Sequence, residues 1–259
     1  MSNIHSSAVI HDGAIIGENV FIGPNCIIHK DVNIGDNCVL DSNVVVAGNT
    51  KIGKGNHFFH SAVIGTQPQD LKYKGEDTEL YIGDNNNFRE FVTVNKSATL
   101  DEPTRIGSNN LLMAYSHVAH NCQIGNHVII ANTVQLAGHI HINDNVIIGG
   151  MTAVHQFVKI GEYSFVGGAS GVKKDVPPFT RGEGMPYKVA GLNSVGLRRN
   201  GFSRESIRKI KAIYKIFYKS GRNVTQALEH SAEMDDITKE QQKFINFVKN
   251  ADRGICKSI

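Results

Sequence analysis

The sequence lacks the features that mark exported, membrane-spanning and disulfide-stabilised proteins. It has only four cysteines, no apolar run long enough to cross a membrane, and a start, Met1–His5, that does not resemble a signal peptide. A helix needs about 20 mostly apolar residues to cross a bilayer, and a secretory signal needs its own apolar segment. We therefore expect a soluble, cytoplasmic protein without a membrane span.

Neither positive nor negative charge predominates in the sequence. Lys and Arg number 27 and Asp and Glu 24, which leaves a net charge of +3. The basic excess lies in residues 198–222, with nine Lys or Arg and the single acid Glu205. This stretch is either a solvated helix face or a docking surface for an acidic partner or phosphates. It matches no nucleic-acid-binding motif, so we expect no nucleic-acid partner.

The dominant feature of the sequence is a period of six. Counting in sixes from Ile4 to Val172 gives 29 positions, of which 27 are aliphatic or Phe and two are Asp70 and Glu76. Six residues are too few for a helical repeat, and the enrichment in β-branched residues favours short strands. Glycine, Asn or Asp between the strands would turn the corners. The period therefore predicts a solenoid.

Three such strands make a triangular coil with a period of 18, so that equivalent positions of successive coils stack about 4.8 Å apart. We predict an all-β parallel β-helix over 1–176, with loop excursions near 66–79 and 95–105, where the repeat is interrupted. Two prolines, at 177 and 178, end the ladder. An irregular linker and a small helical domain are expected over 177–259, with one helix from an N-cap at Ser203 to a stop at Gly221 and two more near 225–232 and 237–250.

The cysteines fit this repeat. Cys26, Cys38 and Cys122 fall at positions where other copies of the repeat carry small or β-branched residues. We interpret them as buried thiols and not as disulfide partners or metal ligands. Free thiols are typical of a reducing cytoplasm.

A coil with this period would collect histidines on one edge. His120 would stack under Gly138, and Gly138 under Gln156, with His139 and His155 one residue off that column. Counted downwards, the column passes through positions 102, 84 and 66, so both loop excursions would leave from the corner that carries the histidines. Function is commonly found on loops held by a rigid scaffold. We therefore predict a site on this edge.

The residues by themselves leave several interpretations of this edge open. The histidines could be structural, in a non-catalytic scaffold. His120, His139 and His155 could bind zinc and leave an open position for water. One histidine could instead act as a general base for acyl transfer.

Longer motifs carry a resemblance that covers nearly the whole chain. The chain resembles the bacterial UDP-N-acetylglucosamine acyltransferases, a family of hexapeptide-repeat enzymes. The resemblance implies a left-handed coil, although crossovers are usually right-handed, and it implies a homotrimer with no metal or cofactor. The motifs are Gln69-Asp70-Leu71-Lys72-Tyr73, His117-Val118-Ala119-His120, Leu136-Ala137-Gly138-His139, the segment 149–157, Asp175-Val176-Pro177-Pro178 and Gly201-Phe202-Ser203-Arg204-Glu205.

The resemblance also implies a reaction. A long 3-hydroxyacyl chain would pass from acyl carrier protein to the sugar 3-hydroxyl of UDP-N-acetylglucosamine, the first step of lipid A synthesis. His120 would be the general base, the backbone N–H of Gly138 would contact the oxyanion, and Gly168 would leave the acyl pocket deep. The acidic carrier protein would dock on the basic tail. The implied substrate-binding residues are Gln69, Asp70, Leu71, Lys72, His117, His139, His155, Gln156, Asn193 and Arg199.

Three residues depart from the family pattern. Asn121 stands where the family has an aspartate beside the base, Asn95 replaces a histidine, and Val195 replaces a glutamate. An amide can orient an imidazole but adds no negative charge to stabilise its protonated form. These departures keep a second acceptor open, a 3-amino sugar nucleotide that would give an amide product.

Overall fold

Short strands form three faces of a coil in the computed structural model, which describes residues 2–259. The first face contains β1 (Asn3–Ile4), β4 (Phe21–Ile22), β7 (Val39–Leu40), β10 (His57–Phe58), β13 (Asn87–Phe88), β16 (Leu111–Leu112), β19 (Ile129–Ile130), β22 (Ile147–Ile148), β25 (Phe165–Val166), β27 (Thr180–Glu183) and β28 (Lys188–Leu192). The second contains β2 (Val9–Ile10), β5 (Ile27–Ile28), β8 (Val45–Val46), β11 (Val63–Thr66), β14 (Thr93–Asn95), β17 (His117–Val118), β20 (Gln135–Leu136), β23 (Ala153–Val154) and β26 (Gly171–Val172). The third contains β3 (Ile15–Ile16), β6 (Val32–Ile34), β9 (Asn49–Ile52), β12 (Glu79–Ile82), β15 (Thr104–Ile106), β18 (Gln123–Ile124), β21 (His141–Ile142) and β24 (Lys159–Ile160).

The strand register confirms the predicted period of the coil. Val45 pairs in parallel with Val63, and Val118 with Leu136, so the paired positions differ by 18 in the numbering. Each coil therefore stacks directly on the one before. The chain is a left-handed parallel β-helix followed by small helices, as predicted.

Three corners join the faces. The first corner connects the first face to the second and includes 149–152 and 167–170; the second corner, from the second face to the third, includes 119–122, 137–140 and 155–158; the third corner, from the third face to the first, includes 161–164. A residue in the left-handed region turns most corners, often an asparagine such as Asn37 or Asn145. Asn is tolerated there better than most side chains.

The repeat glycines have a different role from the one expected. They were predicted to turn corners, but Gly35 and most of its equivalents are not left-handed, and Gly65, with a φ of 76°, is an exception. A Cβ on Gly35 would lie only 2.7 Å from the carbonyl of Gly53 in the next coil. These glycines are therefore required by the close stacking of successive coils, and asparagine supplies the left-handed turn.

The core is a column of inward-pointing side chains. From β4 onwards every strand has at least one buried residue, such as Ile28, Leu40 or Val118. The small positions of the repeat fill the space between them, and Cys26, Cys38 and Cys122 are all buried free thiols, as predicted. Burial raises the pKa of the Cys122 thiol to about 12, so this thiol stays protonated.

The two loop excursions change the register of the coil. Thr50 pairs with Leu80, and Leu80 with Thr104, so the first loop adds two repeats to its coil and the second loop adds one. Both insertions are whole repeats, which is why the period of six continues across them. Both loops leave from the second corner, as predicted.

Positions 102, 84 and 66 were predicted to lie below His120 in one column, and this is wrong for positions 102 and 84. Val94 pairs with Val118, so position 96 lies one coil below His120 and position 102 is carried outward in the loop. Position 84 lies at the third corner, between β12 and β13. Position 66 does lie in the column of His120. The two insertions together add three repeats, which is the length of one coil, so counting by whole coils still reaches it.

Residues after the coil are more regular than expected. In place of an irregular linker, β27 and β28 form an antiparallel hairpin that extends the first face. Helix α1 (Ser194–Arg199) follows and was not predicted. The predicted helices are present as α2 (Arg204–Tyr218), capped by Ser203, α3 (Val224–Ala232) and α4 (Lys239–Lys249). None of the helices within 2–259 has the length and apolarity to span a bilayer.

Candidate active site

The second corner collects the histidines that the sequence placed together. His120, Gly138 and Gln156 occupy equivalent positions in successive coils, because β17, β20 and β23 pair in the regular register of the coil. His139 and His155 lie on the same corner, one residue to either side of that column. Gln156 and His155 are exposed, whereas the His120 side chain is only 12% exposed.

Asn121 fixes the orientation of the His120 ring. Its side-chain nitrogen donates hydrogen bonds to the carbonyl oxygen of Glu102 at 2.6 Å and to Thr99 Oγ1 at 2.9 Å. Its oxygen accepts the backbone N–H of Ala98 at 3.0 Å and faces His120 Nδ1 at 2.8 Å. Because a carbonyl only accepts, the Glu102 bond assigns the amide orientation. Asn121 Oδ1 must then accept a hydrogen bond from Nδ1–H, so that in the neutral ring His120 Nε2 carries the free lone pair.

Gly138 leaves space for the imidazole. A Cβ at position 138 would lie 2.6 Å from His120 Cε1 and 2.7 Å from Nε2. The backbone N–H of Gly138 has no hydrogen-bond acceptor among residues 2–259. A free N–H beside a histidine with an available lone pair is the combination that acyl transfer needs, a base next to an oxyanion donor.

Two neighbouring histidines are held by contacts of their own. His117 Nδ1 lies 2.7 Å from Thr93 Oγ1, and burial, with a smaller effect of His120, lowers the pKa of His117. This shift favours a neutral His117 beside His120. His139 stacks on Phe157, with ring centroids 4.7 Å apart, and meets His120 edge-on at 5.2 Å.

Glu102 is a component of the site that the sequence analysis missed. Its carboxylate lies 3.1 Å from His139 Nδ1 and 3.7 Å from His141 Nε2, and so links the second loop to the corner above it. The only signal in the sequence was its place in a polar excursion. Counting by whole coils put position 102 in the column of His120, but the inserted repeat lets Glu102 reach sideways to His139.

The first loop forms the opposite wall of a cleft. Asp70 Oδ2 lies 4.0 Å from His120 Nε2, and Asp70 Oδ1 accepts the backbone N–H of Lys72 at 2.9 Å. A cleft of about 520 Å³ opens between the two loops and is lined by Asp70, Lys72, Glu76, His139 and 98–101. Gln69 and Leu71 lie on the same loop, and both side chains are exposed. The lone pair of His120 therefore faces a negative side chain at the edge of an open cleft.

The remaining predicted residues lie elsewhere in the chain. Gly168 is on the first corner, across the second face from the histidines. Asn193 caps α1, accepting the Gly196 N–H at 3.1 Å, and donates to the carbonyl of Tyr163 on the third corner at 2.9 Å. Arg199 is exposed at the end of α1. A single chain therefore does not bring Asn193 and Arg199 to His120.

The zinc interpretation finds no ligand set. Within the described chain, no group of three or more His, Cys, Asp or Glu side chains is arranged to hold a metal ion. His120 uses Nδ1 on Asn121, and His139 uses Nδ1 on Glu102. The polar contacts of the second corner orient single imidazoles.

Comparison with known proteins identifies the family. The chain is 45% identical to the acyl-[acyl-carrier-protein]–UDP-N-acetylglucosamine O-acyltransferase of Halorhodospira halophila, over 99% of this chain and 100% of that protein. A protein of the same name from Aliarcobacter butzleri is 46% identical over 98% of both. The chain belongs to this O-acyltransferase family. It is therefore an acyltransferase.

Family models and solved structures agree with this O-acyltransferase assignment. Residues 175–256 match the model described as Udp N-acetylglucosamine O-acyltransferase, Domain 2. Residues 103–138 match the bacterial transferase hexapeptide model and 13–47 the hexapeptide repeat of succinyl-transferase. The UDP-N-acetylglucosamine acyltransferase of Francisella novicida superposes with a TM-score of 0.95 at 39% identity, covering 98% of this chain and 94% of that one. That of Bacteroides fragilis gives 0.95 at 42%, with 98% and 100% covered.

Proposed function

We propose that the protein transfers a long 3-hydroxyacyl chain from acyl carrier protein to the 3-hydroxyl of UDP-N-acetylglucosamine, the first step of lipid A synthesis. The observation that carries the proposal is the free lone pair of His120 Nε2, which the bond from Nδ1 to Asn121 leaves facing Asp70 at the edge of the cleft. A histidine titrates near neutral pH, which suits a general base. We propose that the enzyme works in the cytoplasm, where buried free thiols such as Cys122 persist.

In this reaction His120 Nε2 takes the proton from the sugar hydroxyl as its oxygen attacks the thioester carbonyl. The carbonyl π pair moves to oxygen, and the Gly138 N–H donates to the oxyanion. Collapse of the tetrahedral intermediate breaks the C–S bond and forms the ester, and protonated His120 returns its proton to the thiolate. One such donor contributes about 2.7–4 kcal/mol to the transition state.

The remaining predicted residues have roles in binding. Asp70 and Lys72 would contact the sugar nucleotide from the first loop, and His117, His139, His155 and Gln156 from the second corner, with Gln69 and Leu71 beside them. The acyl chain would cross the second face towards Gly168. The outward residues of its last two strands are small: Ala153 is exposed, and Gly171 lies under Met185.

A homotrimer would complete the site. Asn193 and Arg199 lie at the third corner of their own chain, away from His120. In a three-fold assembly the third corner of one subunit can face the second corner of the next, so that Arg199 would meet the nucleotide phosphates. Nucleic acid and metal have no part in this proposal.

A second acceptor is favoured by one observation. Asn121 gives His120 a neutral partner, so no carboxylate at Nδ1 stabilises the imidazolium. An amino nucleophile depends less on a base than a hydroxyl does. A 3-amino sugar nucleotide, giving an amide, is therefore the alternative acceptor.

The test is a product analysis with matched variants. Purified protein is given UDP-N-acetylglucosamine or its 3-amino analogue, with carrier-bound 3-hydroxyacyl chains of graded length. His120→Ala should lower kcat by at least about 100-fold while the protein stays folded, because general-base catalysis contributes 10²–10⁴-fold. His29→Ala, which removes an exposed histidine far below the cleft, is the control. Full turnover by His120→Ala would contradict the proposal.

A further inference from the structure

A carboxylate of the second loop lies between a histidine of the second corner and one of the third face. Glu102 Oε2 is 3.1 Å from His139 Nδ1, and Oε1 is 3.7 Å from His141 Nε2 in β21. The side chains of Glu102 and His139 are 37% and 23% exposed, so their contact is partly shielded from water. His139 lines the cleft and Glu102 does not. Any effect of Glu102 on a bound substrate would therefore pass through a histidine.

The backbone of Glu102 is held independently of its side chain. Its carbonyl oxygen accepts a hydrogen bond from Asn121 Nδ2 at 2.6 Å, and the next carbonyl, that of Pro103, accepts one from Gln123 Nε2 at 2.7 Å. Removal of the Glu102 carboxylate would leave both bonds in place. The loop therefore stays on the corner without the carboxylate, whose contact acts mainly on His139.

The packing around His139 fixes the plane of its ring. The ring stacks on Phe157 with centroids 4.7 Å apart, and it meets the His120 ring edge-on at 5.2 Å. Such packing hardly distinguishes an imidazole from the same ring turned over about the Cβ–Cγ bond. That turn exchanges Nδ1 with Cδ2 and Nε2 with Cε1. The choice between the two orientations must come from a polar contact.

The contact with Glu102 makes this choice. A carboxylate only accepts hydrogen bonds, so His139 Nδ1 must carry a hydrogen and donate it to Oε2. In the turned ring a carbon would face the carboxylate, and the bond would be lost. Glu102 therefore selects the orientation in which Nε2 lies on the edge of the ring away from the carboxylate. The arrangement repeats that of His120, whose Nδ1 is held by Asn121 Oδ1.

His139 Nε2 is left for a ligand. It makes no hydrogen bond to any of residues 2–259, and the ring lines the cleft together with Asp70, Lys72 and Glu76. In the neutral ring this nitrogen carries a lone pair, which accepts a hydrogen bond from a hydroxyl or an amide N–H. The sugar nucleotide proposed to bind in this cleft carries several such groups.

We propose that Glu102 is a positioning residue, which holds His139 so that Nε2 accepts a hydrogen bond from a hydroxyl of the acceptor sugar. The inference rests on the proposed function, in which His139 contacts the sugar nucleotide. It adds a residue of the second loop that acts on the substrate without touching it. The second loop then orients two imidazoles of the site, His120 through Asn121 and His139 through Glu102.

A double-mutant cycle tests whether Glu102 acts through His139. KM for UDP-N-acetylglucosamine is measured at saturating acyl donor for Glu102→Ala, His139→Ala and the double variant, and calorimetry measures the affinity for the same sugar nucleotide. We expect KM to rise about three- to tenfold in Glu102→Ala, as for the loss of one hydrogen bond, with kcat within about twofold. Because the two residues act as one unit, the double variant should lose no more affinity than His139→Ala.

Two further variants separate the orientation of the ring from the charge of the loop. Glu102→Gln keeps an oxygen that can accept a hydrogen bond from His139 Nδ1, and it should recover most of the affinity. Asp77→Ala removes an exposed acid of the first loop that does not line the cleft, and it should leave KM unchanged. The melting temperature of Glu102→Ala should change little, because both carbonyl bonds of the loop remain.

An unchanged KM in Glu102→Ala would overturn the inference. Additive losses in the double variant would overturn it too, since Glu102 would then act independently of His139. A loss in Glu102→Gln or Asp77→Ala as large as that in Glu102→Ala would have the same consequence, because negative charge and not ring orientation would be responsible. Absence of any transfer by the unmodified enzyme would instead contradict the proposed function, and calorimetry would still decide the role of Glu102.

Discussion

At the scale of single residues, the site depends on the absence of a side chain at Gly138 and on the hydrogen-bond donor and acceptor of the Asn121 amide. Gly138 has no side chain, and the ring of His120 occupies the volume a Cβ would take. Asn121 has both a donor and an acceptor, and each is used twice. An aspartate could repeat only the acceptor half of this arrangement.

Gly138→Ala should therefore remove activity without unfolding the protein. The new Cβ would lie within 2.7 Å of His120 Nε2, so the ring must rotate away from the cleft. We expect kcat to fall by at least about 100-fold, since a displaced general base loses its 10²–10⁴-fold contribution, and the melting temperature to change little. Steady-state kinetics and thermal denaturation measure the two effects.

Gly150→Ala is the control for this substitution. Gly150 has the same place in the six-residue repeat on the first corner, but its Cβ would approach the Asn132 carbonyl, at 3.0 Å, and no histidine. It should keep most activity. Equal losses in the two variants would show that crowding of the coil, and not displacement of His120, is responsible.

At the scale of elements, hydrogen bonds of the Asn121 side chain connect the second loop to the second corner. Asn121 is fully buried and bonds to residues 98, 99 and 102 of the loop. Glu102 then reaches His139 from the same loop. The conformation of the loop and the orientation of the base are consequently coupled.

Asn121→Asp should lower stability although it restores a carboxylate beside His120. One aspartate oxygen would face the Glu102 carbonyl at the 2.6 Å now spanned by an N–H donor. A buried acceptor left without a donor costs about 1–3 kcal/mol, so the melting temperature should fall by several degrees. We expect kcat/KM to fall as well, because the loop would detach from Asn121.

Asn145→Asp provides the comparison, since Asn145 also has a left-handed backbone but its side-chain amide makes no hydrogen bond among residues 2–259. Its free energy of unfolding should stay within about 0.5 kcal/mol of that of the unmodified protein, as for most surface substitutions. An Asn121→Asp protein as stable and active as the unmodified one would contradict the role given to the amide.

At the scale of the whole molecule, one chain provides a base without a complete binding site. His120 and the first loop share the second corner, whereas Asn193 and Arg199 belong to the third corner. The proposed trimer would join these corners from neighbouring subunits. This arrangement can be tested by combining two defective chains.

Coexpression of His120→Ala and Arg199→Ala chains should restore activity that neither has alone. In random trimers with sites shared between subunits, about a quarter of the sites would combine an intact His120 with an intact Arg199. Kinetics on the purified mixed trimers measure the recovery. Coexpression of His120→Ala with Asp70→Ala should restore none, because Asp70 lies 4.0 Å from His120 in the same chain. No recovery in the first mixture would contradict a shared site.

The sequence by itself determined the coil and the edge that carries the histidines. A period of six held through 27 of 29 positions leaves each inward side chain a single face to occupy, so the stacking of His120, Gly138 and Gln156 followed by arithmetic. The buried thiols and three of the helices followed in the same way from local pattern. Such features depend on residues close in sequence or on a regular repeat.

Only the tertiary structure decided what the loops and the tail do. Insertions of whole repeats leave the period of six intact, so the pattern could not reveal that Glu102 turns towards His139 or that position 84 lies on another corner. The hairpin of β27 and β28 is placed on the first face by the pairing of β27 with β25, which the period of six does not reach. A regular repeat determines the positions of the residues that follow it. The positions of the other residues depend on packing and hydrogen bonds that exist only once the chain has folded.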